Sequence, residues 1–290
     1  MIEIYLLEQF AAFQEYGTLS AAAEHLHISQ PALSRSMKKL EEILDVELFT
    51  HTKNSLTLTD TGRLAADWAR RILQEEEDMI TSVRNYDRSL HTLSLGYCSR
   101  GAMMVYTSVI MSLYPGTSVS SDMESETDLI KGLLNKKYQL IFLSYIPDIP
   151  GICAFPCGSE SLYLTVLPTH PAAACEKTGI RFRDINGETF LVATDIGIWE
   201  KVHRTMLPDS RMIREKDLDL LSEVVNSSSL PAFASSLSLR AFGPNYRSGR
   251  VPVPIMDPEA TVRFYCVCLN ENRERFKEWF DLTGPGKQPL

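Results

Sequence analysis

No stretch of the 290 residues approaches the roughly 18–20 consecutive apolar residues that a membrane helix needs, so no membrane partner is expected. Cysteine is scarce. Six in the whole chain are too few for a disulfide framework. Cys153 and Cys157 stand four apart, Cys266 and Cys268 two apart, and Cys98 and Cys175 alone. There is no Cys-x-x-Cys, and the six histidines do not flank the cysteines at zinc-finger spacing. Reduced structural thiols and no metal site are the expectation. Enzyme fingerprints are missing too: no Gly-x-Ser-x-Gly, His-Glu-x-x-His, phosphate loop or dinucleotide motif occurs, and Cys98 has no histidine that can be named as its base. We therefore expect no catalytic residue, no cofactor and no enzyme. An excess of positive charge is lacking as well. A net charge of −8 excludes polyanion binding by bulk charge and leaves room for a local basic face. Met1-Ile2-Glu3-Ile4-Tyr5 has no basic region before an apolar stretch, so no secretory signal, and a cytoplasmic location, are expected. No internal repeat is visible.

What is present is ordinary globular composition, 44% hydrophobic and 23% charged, over a length suited to two or three compact units. Residues 4–60 read as short helices and a small hairpin, 60–88 as one long polar helix, and the rest, from Leu93, as alternating strands and helices of an α/β unit. Ile4, Leu7, Phe10 or Ala11, and Phe13 or Gln14 follow helical spacing, and Gly17 closes that helix. Ser20 is the expected N-cap of a second helix, and Ser29 of a third with Pro31 in its first turn. Leu33, Met37, Leu40 and Leu44 form the third helix's apolar stripe; Gln30, Ser34, Arg35, Lys38 and Lys39 lie opposite. Two helices joined by a tight turn, the second with a polar, basic outer face, make a helix-turn-helix. On such a face Gln can read adenine, Arg can read guanine, and Ser or Lys can hold phosphate. Leu56 and Leu58 alternate as a short strand after Leu48-Phe49-Thr50-His51, which adds a wing.

These residues resemble the LysR-type transcriptional regulators. The likeness runs through Phe10-Ala11-Ala12-Phe13, Gly17 to Ala23, Leu26 to Arg35, Lys39-Leu40-Glu41, Leu48-Phe49 and Leu58-Thr59-Asp60-Thr61-Gly62. It implies an α/β protein with an N-terminal all-α winged helix-turn-helix (1–60), a long linker and dimerisation helix (61–90), and a two-lobed, type 2 periplasmic-binding-protein-like effector domain. The lobes would be 91–161 with 266–290, and 162–265. Double-stranded operator DNA would meet Ser29, Gln30, Pro31, Ser34 and Arg35 in the groove, Lys38 and Lys39 at phosphate, and His51 and Lys53 on the wing. The family usually has arginine where His51 stands and often a second basic residue at Asn54, so the wing departs from the pattern. Residues 1–60 carry four fixed positive charges against nine carboxylates, a net −5, which points to reliance on two half-sites.

Ala65, Ile72, Met79 and Tyr86 recur every seven residues, with Ala69 and Val83 on a second line that Glu76 interrupts: a short intermolecular helix seam. A homodimer or homotetramer is expected, with RNA polymerase as a further partner if the regulator activates. In the effector half, Leu93–Tyr97 is a first strand, Leu140–Leu143 a buried one, Glu160–Pro168 the strand crossing between lobes and Arg263–Leu269 the return. Ser227 and Ser229 stand where the family commonly has two glycines. A small anionic or polar effector is expected between the lobes at Ser99, Arg100, Thr127, Thr194, Asp195 and Ile196, near helix N-termini. Arg100, a cation at a helix start, calls for an anionic neighbour, either a ligand carboxylate or a protein acid. The alternatives are a thiol-based redox sensor of the same architecture and a solute-binding module. Peroxide-sensing relatives carry a cysteine pair roughly where Trp199 to Ser210 has none, and a solute-binding module has no use for a winged helix-turn-helix.

Overall fold

The structure is a computed structural model that describes residues 1–51, 56–243 and 249–283 and divides into two units, Met1–Arg84 and Asn85–Leu290. Helix α1 (Ile4–Tyr16) buries Leu6, Leu7, Phe10, Ala12 and Phe13, and Gly17 ends it at φ 73° with its N–H on the Phe13 carbonyl. Helix α2 (Leu19–His25) starts two residues before the position the sequence suggests. Thr18, not Ser20, is its N-cap: its extended backbone lets the hydroxyl accept from the Ala21 N–H, and Ser20 falls inside the first turn. Helix α3 (Gln30–Leu44) begins as expected, with the Ser29 hydroxyl accepting from Ala32 N–H and Pro31 where no intrahelical donor is needed. Its Leu33, Met37 and Leu40 are buried, but Leu44 is 37% exposed because the chain turns away at Asp45, φ 55°.

Strands β1 (Phe49–His51) and β2 (Leu56–Leu58) pair antiparallel, with Phe49 opposite Leu58 and His51 opposite Leu56. The turn between them, with Lys53, lies outside the described residues. Phe49 sets its ring edge-on to Phe10 and Phe13, which fixes the hairpin to the helical core. Glu41 accepts the Leu48 and Phe49 N–H groups at 2.7 and 3.1 Å and ties α3 to the strand start. Thr59 caps helix α4 (Asp60–Ser89): its hydroxyl donates to the Glu47 carbonyl and accepts from Gly62 N–H at 2.8 Å. A Cβ on Gly62 would lie 2.1 Å from the Leu48 carbonyl oxygen, so the Leu-Thr-x-x-Gly pattern has a steric cause. Ala69, which the heptad reading put on the intermolecular seam, is fully buried in the core of the first unit with Ala66, because the early turns of α4 complete that core.

In the second unit the elements run β3 (Thr92–Tyr97), α5 (Arg100–Leu113), β4 (Ser118–Met123), α6 (Glu126–Leu134), β5 (Leu140–Leu143) and β6 (Ile152–Val166). There follow α7 (Phe182–Ile185), β7 (Thr189–Ala193), α8 (Trp199–Met206), β8 (Arg211–Glu215), α9 (Leu218–Ser227), β9 (Ala232–Ser235) and α10 (Ser236–Phe242). Strands β10 (Val251–Pro254) and β11 (Thr261–Leu269) and helix α11 (Lys277–Thr283) complete it. The strand order is β4-β3-β5-β11-β6-β9-β7-β8, with β10 on β6. Strand β6 changes partners along its length: residues up to Ser161 pair with β11, and those from Leu162 pair with β9 and β10. One core gathers around Tyr106, Phe142, Phe264 and Trp279, another around Leu164, Phe182, Phe190 and Val253. The Arg250 guanidinium donates to the carbonyls of Val225, Ser228, Leu230 and Thr165. It thereby satisfies the end of α9, where Ser227 and Ser229 replace the glycines of the resemblance.

Candidate functional site

Helix α3 separates its residues cleanly. Leu33, Met37 and Leu40 face the core, while Ser29, Gln30, Pro31, Ser34, Arg35, Lys38 and Lys39 are all exposed along the outer arc. The side chains differ in freedom. Lys39 donates to the Glu3 carboxylate and, at 3.1 Å, to the Tyr5 hydroxyl. That hydrogen bond holds the Glu3 carboxyl below the usual range and raises the Lys39 ammonium. Ser29 commits its hydroxyl to the helix cap. A protein surface that presents Gln, Ser, Arg and Lys on one helix, with a two-stranded hairpin beside it, has the donors that base edges and phosphates require.

In the second unit the expected effector residues fall into three groups. Thr194, Asp195 and Ile196 line a cleft of about 820 Å³ together with Glu126, Ser144, Trp199 and Lys201. Arg100 and Ile196 line a separate cavity. Ser99 and Thr127 line neither: Ser99 is fully buried and Thr127 is on the exposed side of α6. Arg100 finds its anionic neighbour within the protein, donating from Nε to the Asp195 carbonyl at 2.9 Å with the Asp195 carboxylate 4.0 Å from its Nη2. Five carboxylates line the larger cleft (Glu124, Glu126, Asp195, Glu200, Glu259) against Lys201, Arg204 and Arg214. Of these, Glu126 accepts the Ser144 N–H and hydroxyl, and Glu200 takes Arg214 through both guanidinium nitrogens.

Two residues at the heart of this unit escaped the sequence reading. Glu160, on β6 at its change of partners, is 1% exposed. Its carboxyl accepts from the Ser99 hydroxyl, from Trp199 Nε1 at 3.1 Å and from Ser235. A Cβ on Gly101 would come within 1.9 Å of Glu160 Oε1, so only glycine admits the carboxyl at the first turn of α5. Burial raises the Glu160 carboxyl above its ordinary value despite these three donors. His203 on α8 is also buried, and burial pushes its imidazole down to about 4. The cysteines are all free thiols, and burial pushes Cys98, Cys157 and Cys268 well up. Among the described residues no helix is long and apolar enough to cross a membrane.

Residues 4–63 match the family described as bacterial regulatory helix-turn-helix protein, lysR family, and residues 107–283 match the LysR substrate binding domain. The chain is 25% identical over 250 residues to the HTH-type transcriptional regulator CfxR of Cupriavidus necator, covering 84% of this chain and 78% of that protein. It is 29% identical over 179 residues to the nitrogen assimilation regulatory protein nac of Klebsiella aerogenes, covering 60% and 59% respectively. Among solved structures, full-length BenM is similar over 100% of this chain and 99% of that one, at 17% identity and TM-score 0.51. A full-length OxyR variant from Pseudomonas aeruginosa is similar over 96% and 93%, at 18% identity and TM-score 0.52. These two likenesses carry the fold. The family match spans more than half of the sequence, and the chain belongs to the LysR family of DNA-binding transcriptional regulators, with an N-terminal helix-turn-helix and a C-terminal effector-binding domain.

Proposed function

We propose that the outer face of α3 enters the major groove of an operator, with Gln30 and Arg35 reading bases, Ser34 and Lys38 holding phosphate, and His51 and Lys53 touching the flanking backbone. The observation that carries this is the exposure of Gln30, Ser34, Arg35 and Lys38 on the helix face opposite the buried Leu33, Met37 and Leu40. Arg35→Ala should cost on the order of 1–3 kcal/mol at the specific site, seen by titrating operator and random duplex at one fixed salt concentration. Equal loss on both duplexes would remove the base-reading role. Lys38→Ala should weaken both alike and lower the salt slope by about one. Lys39→Ala should do less than Lys38→Ala, because Glu3 already neutralises that ammonium.

The protein acts as a homodimer, or a dimer of dimers, through α4, and not as an enzyme. It works in the cytoplasm and would meet RNA polymerase if it activates. Its lobes meet where β6 crosses after Ser161, and a small effector enters the cleft at Thr194, Asp195 and Ile196. The surplus of carboxylates there favours a polar effector over an anionic one. Arg100 and Ser99 would act by holding the lobes, through Asp195 and Glu160, and Thr127 through the start of α6. A screen of neutral polar, cationic and anionic metabolites by thermal shift should find stabilisation among the first two classes, scaling with concentration by mass action. Stabilisation by carboxylates alone would reverse that preference. The redox alternative has little support: reactive sensor thiols have depressed pKa values, and burial pushes Cys98, Cys157 and Cys268 the other way.

A further inference from the structure

Strands β6 and β11 carry four of the six cysteines, and their register sets two of them opposite each other: Cys153 faces Cys268. Directly opposed residues of an antiparallel pair have Cα atoms about 4.5–5.5 Å apart, inside the span of about 4.4–6.8 Å that a disulfide bridges. The two side chains meet, with their Sγ atoms 3.1 Å apart. Closing that gap to a covalent bond takes about 1 Å of movement. No other pair of cysteines is opposed in this way. Cys266 stands across from Phe155, and Cys157 falls where the register shifts between Phe264 and Tyr265. The two opposed thiols differ in access: Cys268 is fully buried, whereas Cys153, the second residue of β6, is half-buried.

We propose that Cys153 and Cys268 form a thiol–disulfide exchange site, which takes a low-molecular-weight disulfide as its substrate and closes to a cross-strand disulfide. The Cys153 thiol gives its proton to solvent, and the thiolate attacks one sulfur of the incoming disulfide; a mixed disulfide forms and one thiolate leaves. Cys268, deprotonated in turn, attacks the Cys153 Sγ and expels the second thiolate. Both expelled thiolates take up protons from water, so the cysteines lose two hydrogens in all and the reagent is reduced to two thiols. Burial raises the Cys268 thiol and slows the second step, while the Arg273 guanidinium works the other way. Proximity offsets the burial, since a thiol held 3.1 Å from its target reacts intramolecularly. Such a site is not a peroxide sensor: it responds to the ratio of disulfide to thiol around it. The bond joins residues 115 apart in sequence and encloses every element from α7 to β10. A cross-link over a loop of that length restricts the unfolded chain strongly, and the oxidised second unit should melt about 4–16 °C above the reduced one. The site depends neither on the effector cleft nor on how the first unit reads DNA.

The test incubates the full chain with oxidised glutathione, and in parallel with reduced glutathione, followed by thiol alkylation, intact mass measurement and peptide mapping. The oxidised sample should be lighter by two hydrogens before alkylation, carry no glutathione and yield a cross-linked peptide joining Cys153 to Cys268. Cys268→Ala removes the second nucleophile and should trap the glutathione adduct on Cys153. Cys153→Ser should abolish both the cross-link and the rise in melting temperature. Cys175→Ser removes the other half-buried thiol and should change neither. A glutathione adduct that persists on Cys153 in the unsubstituted protein, a bond from Cys153 to Cys157 or Cys266, or no loss of free thiols at millimolar oxidised glutathione overturns the proposal.

Discussion

Met79→Glu is expected to turn the protein into a monomer in sedimentation equilibrium and to weaken operator binding by about 10²–10⁴-fold. The side chain is 59% exposed on α4, so the substitution costs the chain's own core almost nothing. Trp68, Ile72 and Val83 are 51%, 41% and 64% exposed on the same helix, although each is large and apolar. A helix position of this kind gains little from water and much from a second copy of itself. The loss of affinity follows from the charge of the N-terminal residues. With nine carboxylates against four fixed positive charges in residues 1–60, one copy holds DNA weakly, and the second half-site binds as an intramolecular event only if the copies are joined. The slope of log affinity against log salt should therefore fall to about half, since half the phosphate contacts go. Gln74→Glu, which adds charge to α4 at a polar position, should stay dimeric. A dimeric Met79→Glu protein with full operator affinity would show that the copies meet elsewhere.

Local rules made the N-terminal unit legible. Ser29 and Pro31 start α3 where cap chemistry says they should, and the spacing of Leu33, Met37 and Leu40 assigns the buried face and therefore the outer one. The error at α2 was between two hydroxyl residues, Thr18 and Ser20, either of which can cap; the Thr18 backbone is the one that is extended. Ala69 misled for a related reason: a small residue at heptad spacing is equally at home under its own domain, and only the tertiary core decides. The effector half was legible in its strands and less so in its chemistry. Ser99 and Arg100 were located correctly at a helix start, but their partners, Glu160 and Asp195, are 61 and 95 residues away. One signal was available. Glu160 shares the strand face of Leu162, Leu164 and Val166, and a carboxylate in that alternation is a buried charge in want of donors. His203 had no such signal, since one histidine on an amphipathic helix looks like any other.

Glu160→Ala should lower the melting temperature of the second unit by about 6–12 °C in calorimetry of the full chain, given about 2–4 °C per kcal/mol for a unit of this size and the lower end, about 3 kcal/mol, of the cost of three unpaired donors. The cause is the removal of one acceptor from three donors, Ser99, Trp199 and Ser235, each costing about 1–3 kcal/mol when left unpaired and dry. Glu160→Gln keeps an acceptor in place and should be far milder, which separates the hydrogen bonds from the charge. The charge itself has a signature in pH. Because burial raises the folded-state pKa of Glu160 above its unfolded value of 4.5, the folded protein holds this proton more tightly. Its contribution to stability is fully present below the unfolded value and is lost as pH rises through the higher folded one. Comparing wild type with Glu160→Gln removes the slopes of other groups, including the opposite one from His203, whose neutral buried form loses stability as pH falls from 6.5 toward 4. Wild type should therefore gain on Glu160→Gln as the solution is acidified. The consequence for regulation is mechanical. Glu160 joins side chains at the start of α5, the start of α8 and the end of β9, and one of them, Trp199, lines the cleft. Glu160→Ala should then flatten the difference in operator affinity between effector-bound and effector-free protein while leaving the Arg35-dependent base preference intact. A pH-independent difference between wild type and Glu160→Gln would mean that the carboxyl titrates as freely in the folded protein as in the unfolded chain.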